Sequence, residues 1–147
     1  MTKFVLKERL HWEPLPTSTS ETGPLFDTDC DIPFGRVNDF MILYNDWPYG
    51  ISPGITHLVV WLKTRIAVEG KEGYLTAESR DLIEDFVERT FVNRVQNDGI
   101  ADDKVMWFKN WVGLQSVRGV EHVHVLVRNV SQSILDEWTA PKRLHGD

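Results

Sequence analysis

Hydrophobic and polar positions fall along the chain in blocks, each with its own period. "DFMILYN" (39–45) is rich in β-formers and runs into "NDWPYGISPG", which predicts a strand followed by a turn. "THLVVWLKTRI" (56–66) predicts a second strand. Its alternation puts His57, Val59 and Trp61 on one face and Leu58, Val60 and Leu62 on the other. Both faces are apolar in the middle, as in a central strand. From Thr76 to Asn97 the period becomes helical, with Leu82, Ile83, Phe86, Val87, Phe91 and Val95 in one stripe and charge opposite. Thr76 is the cap, Glu78 and Asp81 suit the positive end, and Gly99 is the stop. "KVMWFKNW" (104–111) and "VEHVHVLVR" (120–128) predict two more strands, and Ser131 caps a helical turn over 131–138. The order predicts an α+β fold, a mostly antiparallel sheet with one long helix packed on it.

Ahead of these elements, residues 14–24, "PLPTSTSETGP", contain almost nothing to bury and predict an irregular connector. It follows a short arm carrying Phe4, Leu6 and Trp12, and "DTDCDIPFGR" is loop-like as well. A chain of 147 residues suits one domain. That single domain, 1–147, divides into arm and connector (1–38), an α+β core (39–138) and a tail (139–147).

Charge narrows the partners. The net charge is -6, and the densest basic stretch, "PKRLH", is short. No nucleic acid partner is therefore expected, because a grip on phosphates needs a clustered basic surface. The single cysteine, Cys30, excludes an intrachain disulfide and a cysteine-based zinc site. It fits a reducing compartment, and no stretch is long and apolar enough for a membrane span. "MTKFVLKERLHWEP" is too charged for a signal peptide, so a cytoplasmic protein with no membrane partner is expected. A homodimer is compatible with this composition.

The chemistry concentrates in "LQSVRGVEHVHVLVR" (114–128). Alternation sends His122, His124 and Leu126 to one face and Val123, Val125 and Val127 to the other. Two imidazoles roughly 6.5–7 Å apart can flank one small ligand, one as nucleophile or base and the other as donor. The bland alternative is a half-solvated strand with incidental polar residues. Upstream, Asn45, Asp46, Trp47 and Tyr49 lie in the turn before the strand of His57. Asp46 either orients an imidazole or binds a ligand hydroxyl, or else closes an Asx turn, and Trp47 and Tyr49 either stack on a planar ligand or cover the core edge. Trp61, Trp107 and Trp111 are candidates to line a pocket; the last two could equally plug the sheet. Zinc held by His57, His122 and His124 has a suitable donor type, but neither spacing nor flanking carboxylates are diagnostic. A site without metal or cofactor is preferred.

"LQSV…EHVHVLV" resembles the signature of the histidine-triad superfamily of nucleotide hydrolases and transferases. There a Gln-Ser pair precedes a strand of alternating histidines. "FMILYNDWPYGISPGITHLVVWLK" looks like that superfamily's earlier hairpin. The resemblance implies that His122 attacks phosphorus, that His124 is the last histidine of the triad, and that Ser116 donates to the phosphate. It makes His57 the upstream histidine and Gln115 a further polar donor, while the first triad histidine falls on Val120. A second, longer resemblance covers about residues 39 to 128. "NDWPYGISPGITHLVVW" and "WVGLQSVRGVEHVHVLV" are similar to a fungal family named for N-acetylglucosamine-induced proteins, built around a domain of unknown function. Together they imply an enzyme acting on a small-molecule substrate, a phosphoryl or nucleotidyl hydrolase or transferase. The rivals are a metal-free cyclase or isomerase of fungal secondary metabolism, a peptide-bond-forming relative that consumes aminoacyl-tRNA, and a non-catalytic small-molecule binder. The acidic balance counts against the tRNA reading.

Overall fold

A computed structural model describes residues 5–19, 22–45, 54–97, 105–109 and 119–140. Four strands make one antiparallel sheet: β1 (Phe40–Tyr44), β2 (Ile55–Leu62), β5 (Val105–Phe108) and β6 (Glu121–Arg128), in the order β1-β2-β6-β5. A two-stranded ribbon of β3 (Val68–Glu69) and β4 (Tyr74–Leu75) leads from β2 toward the helices. The α+β expectation therefore holds, with β2 and β6 at the centre, where continuous apolar runs belong. The predicted second strand ends at Leu62 rather than at 66. Lys63 instead donates its backbone N–H to the Asp39 carbonyl (2.8 Å), and the Arg65 guanidinium bonds the carbonyls of Gly119, Thr22 and Pro24.

The predicted long helix is α1 (Ala77–Val87), a π-helical turn (Glu88–Val92) and α2 (Asn93–Asn97) in succession. Thr76 caps it as expected, its hydroxyl accepting from the Ser79 N–H at 3.0 Å. The π turn has a reason in the stripe itself. Ile83, Val87, Phe91 and Val95 recur every four residues, which overruns an α-helical turn by about 40° each time. One wider turn brings the later members back toward the sheet. Ile83, Phe86, Val87, Phe91 and Val95 are all buried, while Leu82 is only half-buried. After β6 comes α3 (Gln132–Thr139); Ser131 stands at its N-cap, but its hydroxyl bonds the Ser133 hydroxyl instead of the backbone.

The helices cover one face of the sheet. Phe34, Ile42, Leu58, Val60, Leu62, Val123, Val125 and Val127 pack there against Ile83, Phe86, Phe91, Ile134 and Trp138. The buried Asp39 carboxylate holds the 29–36 loop by accepting from the N–H groups of Asp29 and Cys30. At the far end of β2–β6, the Asn129 N–H donates to the Gly54 carbonyl (2.7 Å). Gly54 has φ +87°, a backbone conformation that strains any residue with a side chain, and a Cβ there would also lie 2.5 Å from Asn129 Oδ1 and push that side chain aside. The opposite sheet face has a smaller apolar cover. A π-helical turn at Val5–Leu10 lays Leu6 and Leu10 beside Val59, Trp61 and Val120, with Trp12 and Phe26 at the margin. Among the described residues, no helix is long and apolar enough to cross a membrane.

Candidate functional site

β6 is paired on both sides, so its side chains can only point up or down. Its valines go to the helices, and His122, His124 and Leu126 go to the other face. Register then decides the neighbours: Trp61 stands opposite His122, Val59 and Phe108 opposite His124, and His57 diagonally across from His124. Three imidazoles thus form a row, with ring centroids 5.0 Å apart for both His57–His124 and His122–His124. The rings of His122 and His124 approach more closely than the strand repeat alone implies, because they meet edge to face.

His124 is the middle of the row and only 8% exposed. Phe108 stacks on it at 4.6 Å and 7°. Its Nδ1 lies 2.9 Å from His57 Nε2, and its Nε2 is buried with no hydrogen-bond partner among the described residues. Burial, together with His122, His57 and Lys109 nearby, pushes its pKa down to about 4. His122 packs against Trp61 (4.8 Å) and donates from Nδ1 to the Val120 carbonyl at 2.9 Å. A carbonyl only accepts, so this bond fixes the proton on Nδ1 and leaves Nε2 as the lone-pair nitrogen. Burial lowers the His122 pKa; the Val120 bond and Glu121 oppose this, and Lys109 reinforces it. Burial also lowers the pKa of His57, whose Nδ1 lies 3.4 Å from Asn45 Nδ2. All three rings are therefore biased toward the neutral form, suited to act as base, nucleophile or neutral donor.

Of the residues singled out by sequence, the structure brings together His57, His122, His124, Asn45 and Trp61. Trp107 is a correction. It pairs with Val125, packs on the helix side and lies under Arg80 at 5.6 Å. Strand parity sends it away from the histidines, since its neighbours Met106 and Phe108 take the other face. Asp46, Trp47, Tyr49, Trp111, Gln115 and Ser116 lie outside the described residues. Among the described residues, no three His, Cys, Asp or Glu side chains are arranged to hold a metal ion.

Three contributors escaped the sequence reading. Phe108 is one, and its signal was the same parity that removes Trp107. A second is the N-terminal cover of Leu6 and Leu10, which nothing local ties to the sheet. The third is an ion pair, Lys109 Nζ to Glu121 Oε1 at 2.5 Å, with side chains 3% and 5% exposed. Glu121 also accepts from the Ile66 N–H, and Lys109 donates to the His122 carbonyl. A carboxylate at the core-facing parity of a valine strand was the available signal, since a buried charge needs a partner.

Comparison with known proteins agrees with the longer resemblance. A family profile described as a protein of unknown function (DUF3605) matches residues 1–128. The chain is 34% identical over 142 residues to N-acetylglucosamine-induced protein 1 of Candida albicans, covering 91% of this chain and 54% of that protein. It is 31% identical over 127 residues to an uncharacterized protein of Saccharomyces cerevisiae, covering 86% and 59%. The chain thus spans little more than half the length of these curated relatives. A solved structure titled "Crystal Structure of HTC1" matches with a TM-score of 0.63 at 23% identity, covering 93% of this chain and 73% of that one. That likeness concerns the fold.

Proposed function

The chain belongs to the DUF3605 family, whose description assigns no chemistry, and we propose that it is a small-molecule enzyme of histidine-triad-like type. In this reading it transfers or hydrolyses phosphoryl or nucleotidyl groups, with His122 as nucleophile. The observation that carries it is the 2.9 Å bond from His122 Nδ1 to the Val120 carbonyl. The histidine-triad resemblance puts its missing first histidine at Val120. The backbone carbonyl of that residue holds the nucleophile here, so the side chain can be lost and the orientation kept.

The chemistry then follows from tautomers. The Nε2 lone pair of His122 attacks phosphorus, an N–P bond forms, and the leaving oxygen departs with the bonding pair. A ring N–H of the neutral His57–His124 pair hydrogen-bonds that oxygen as negative charge gathers on it, and the oxygen takes its proton from solvent. In the second step water attacks phosphorus, and the P–N bond breaks with its electron pair returning to His122 Nε2. The proton of the water passes to solvent, which leaves the phosphate product and a neutral His122. The lowered pKa of His122 supports this role, because only the neutral ring is a nucleophile. The apolar walls of Trp61 and Phe108 favour a second reading, acid–base cyclisation or isomerisation of an apolar substrate. Incubation with nucleoside phosphoramidates, dinucleotides and nucleotide sugars, followed by intact-mass measurement, separates the two. The phosphoryl reading expects an adduct or turnover that His122→Ala removes. No binding or turnover of any phosphorylated compound, with His-dependent conversion of an apolar one, would establish the second.

A further inference from the structure

The polar atoms on the histidine face have a direction. Asn45 Nδ2 lies 3.4 Å from His57 Nδ1, and an amide nitrogen only donates. His57 Nδ1 is then the accepting nitrogen of a neutral ring, and the proton sits on Nε2. That N–H points at His124 Nδ1, 2.9 Å away, which must in turn be the bare nitrogen of its ring. The remaining proton of His124 is therefore on Nε2. This atom is buried without a hydrogen-bond partner among the described residues, in a side chain only 8% exposed. A buried N–H with no acceptor loses its water and gains nothing in return.

We infer that His124 Nε2–H is the donor for an acceptor oxygen of the substrate, and that Asn45 is the positioning residue that fixes this polarity through His57. The inference rests on the proposed function only in naming that oxygen as a phosphoryl oxygen. On the same sheet face lies the ring of His122, 5.0 Å away between centroids, whose own bond to Val120 leaves Nε2 bare. One face thus presents a lone pair and an N–H side by side, the pairing that a polarised P=O group demands. The opposite polarity, with the Asn45 amide oxygen toward His57, would leave His124 Nε2 bare and suit a cation or a proton donor. The amide of Asn45 therefore sets the ligand class without touching the ligand.

Ring tautomers are directly measurable. In the full chain carrying 15N-histidine, long-range 1H–15N spectra distinguish protonated from bare ring nitrogens. The wild-type protein should show Nε2–H for His57 and His124 and Nδ1–H for His122. A carboxylate accepts where the amide donates, so Asn45→Asp should reverse both His57 and His124 and leave His122 unchanged. Inorganic phosphate, used as the probe, should perturb His124 Nε2 in the wild type. It should bind at least about tenfold more weakly to the variant, the worth of one charge-assisted hydrogen bond. A wild-type His124 protonated on Nδ1 would overturn the inference, and this reading needs no variant to fold. Unchanged tautomers in a folded Asn45→Asp protein would overturn the role of Asn45. Tautomers and phosphate response as stated, with no His122-dependent adduct, would support this inference and remove the nucleophile reading instead.

Discussion

The two faces of one sheet share strands and backbone but solve different problems. On the helix side, Val123, Val125 and Val127 are 1%, 0% and 1% exposed and belong to the apolar cluster under the helices. One residue away on the same strand, His122 and His124 meet Trp61, Phe108, His57 and each other. The first face is built from interlocking volume, the second from directed polar atoms under a thin apolar cover. Stability should therefore reside on one side and chemistry on the other. The sharpest break in that comparison would come from Phe86→Ala and His122→Ala measured together by denaturant unfolding. Phe86, 1% exposed and in ring contact with Phe34, Phe40 and Phe91, should cost about 3–5 kcal/mol on truncation. His122→Ala should cost less than about 1 kcal/mol while abolishing the turnover that the proposed function expects. Similar losses at both positions would erase the division between the faces.

Where the faces meet, the Lys109–Glu121 pair joins β6 to the residue that follows β5. Lys109→Met strands a buried carboxylate and should cost roughly 3–4 kcal/mol. Adding Glu121→Leu should recover most of that loss, since the second change removes the uncompensated charge. A double variant no better than the single would mean that the pair itself, not the stranded charge, stabilises the joint.

Acid should distinguish the faces next, because the three imidazoles with lowered pKa values all lie on one of them. Unfolded, His124 takes its proton near 6.5; folded, it resists protonation until about 4. Between those values the unfolded chain binds more protons, so stability rises with pH in that window. The contribution of His124 is complete above about pH 6.5, is lost as pH falls toward 4, and levels off below. It amounts to roughly 3 kcal/mol. His57 and His122, also lowered, act in the same direction. His124→Phe should flatten the slope of unfolding free energy against pH in this window, whereas Phe86→Ala should lower the whole curve and leave its slope alone. An unchanged slope in His124→Phe would place the acid sensitivity elsewhere.

Much of this division was legible in the sequence, for a physical reason. Strand parity is local, so the alternation in 120–128 alone separated the valines from the histidines, and the stripe from Ile83 to Val95 announced the helix that covers the valines. Distance was not legible. That His57 reaches His124 depends on the β2–β6 register, and that Leu6 and Leu10 cover this face depends on a return of the chain across more than fifty residues. Trp107 illustrates the limit. Its alternation with Met106 and Phe108 was visible, but which parity of β5 matched the histidine parity of β6 awaited the pairing of Phe108 with His124. The π turn was hidden differently, because a repeat of four reads as ordinary helix until it must stay on one surface.

The smallest effect sharpens the comparison most finely, since it asks two tryptophans to differ only by face. Trp61 stands over His122 at 4.8 Å and keeps water from it, and burial is the leading cause of that ring's lowered pKa. Removing the indole should let water in and raise the His122 pKa toward its ordinary value. Trp107 lies across the sheet, against the helix-side core and Arg80, with the backbone of β5 and β6 between it and the imidazoles. Its removal should cost stability without moving His122. The titration of the His122 ring Cε1–H, followed by NMR in Trp61→Ala and Trp107→Ala, reads both at once. A shift in the first and none in the second is the expected pattern. Equal shifts would mean that the sheet does not insulate its faces, and that packing on the helix side reaches through the strands to set the chemistry of the other.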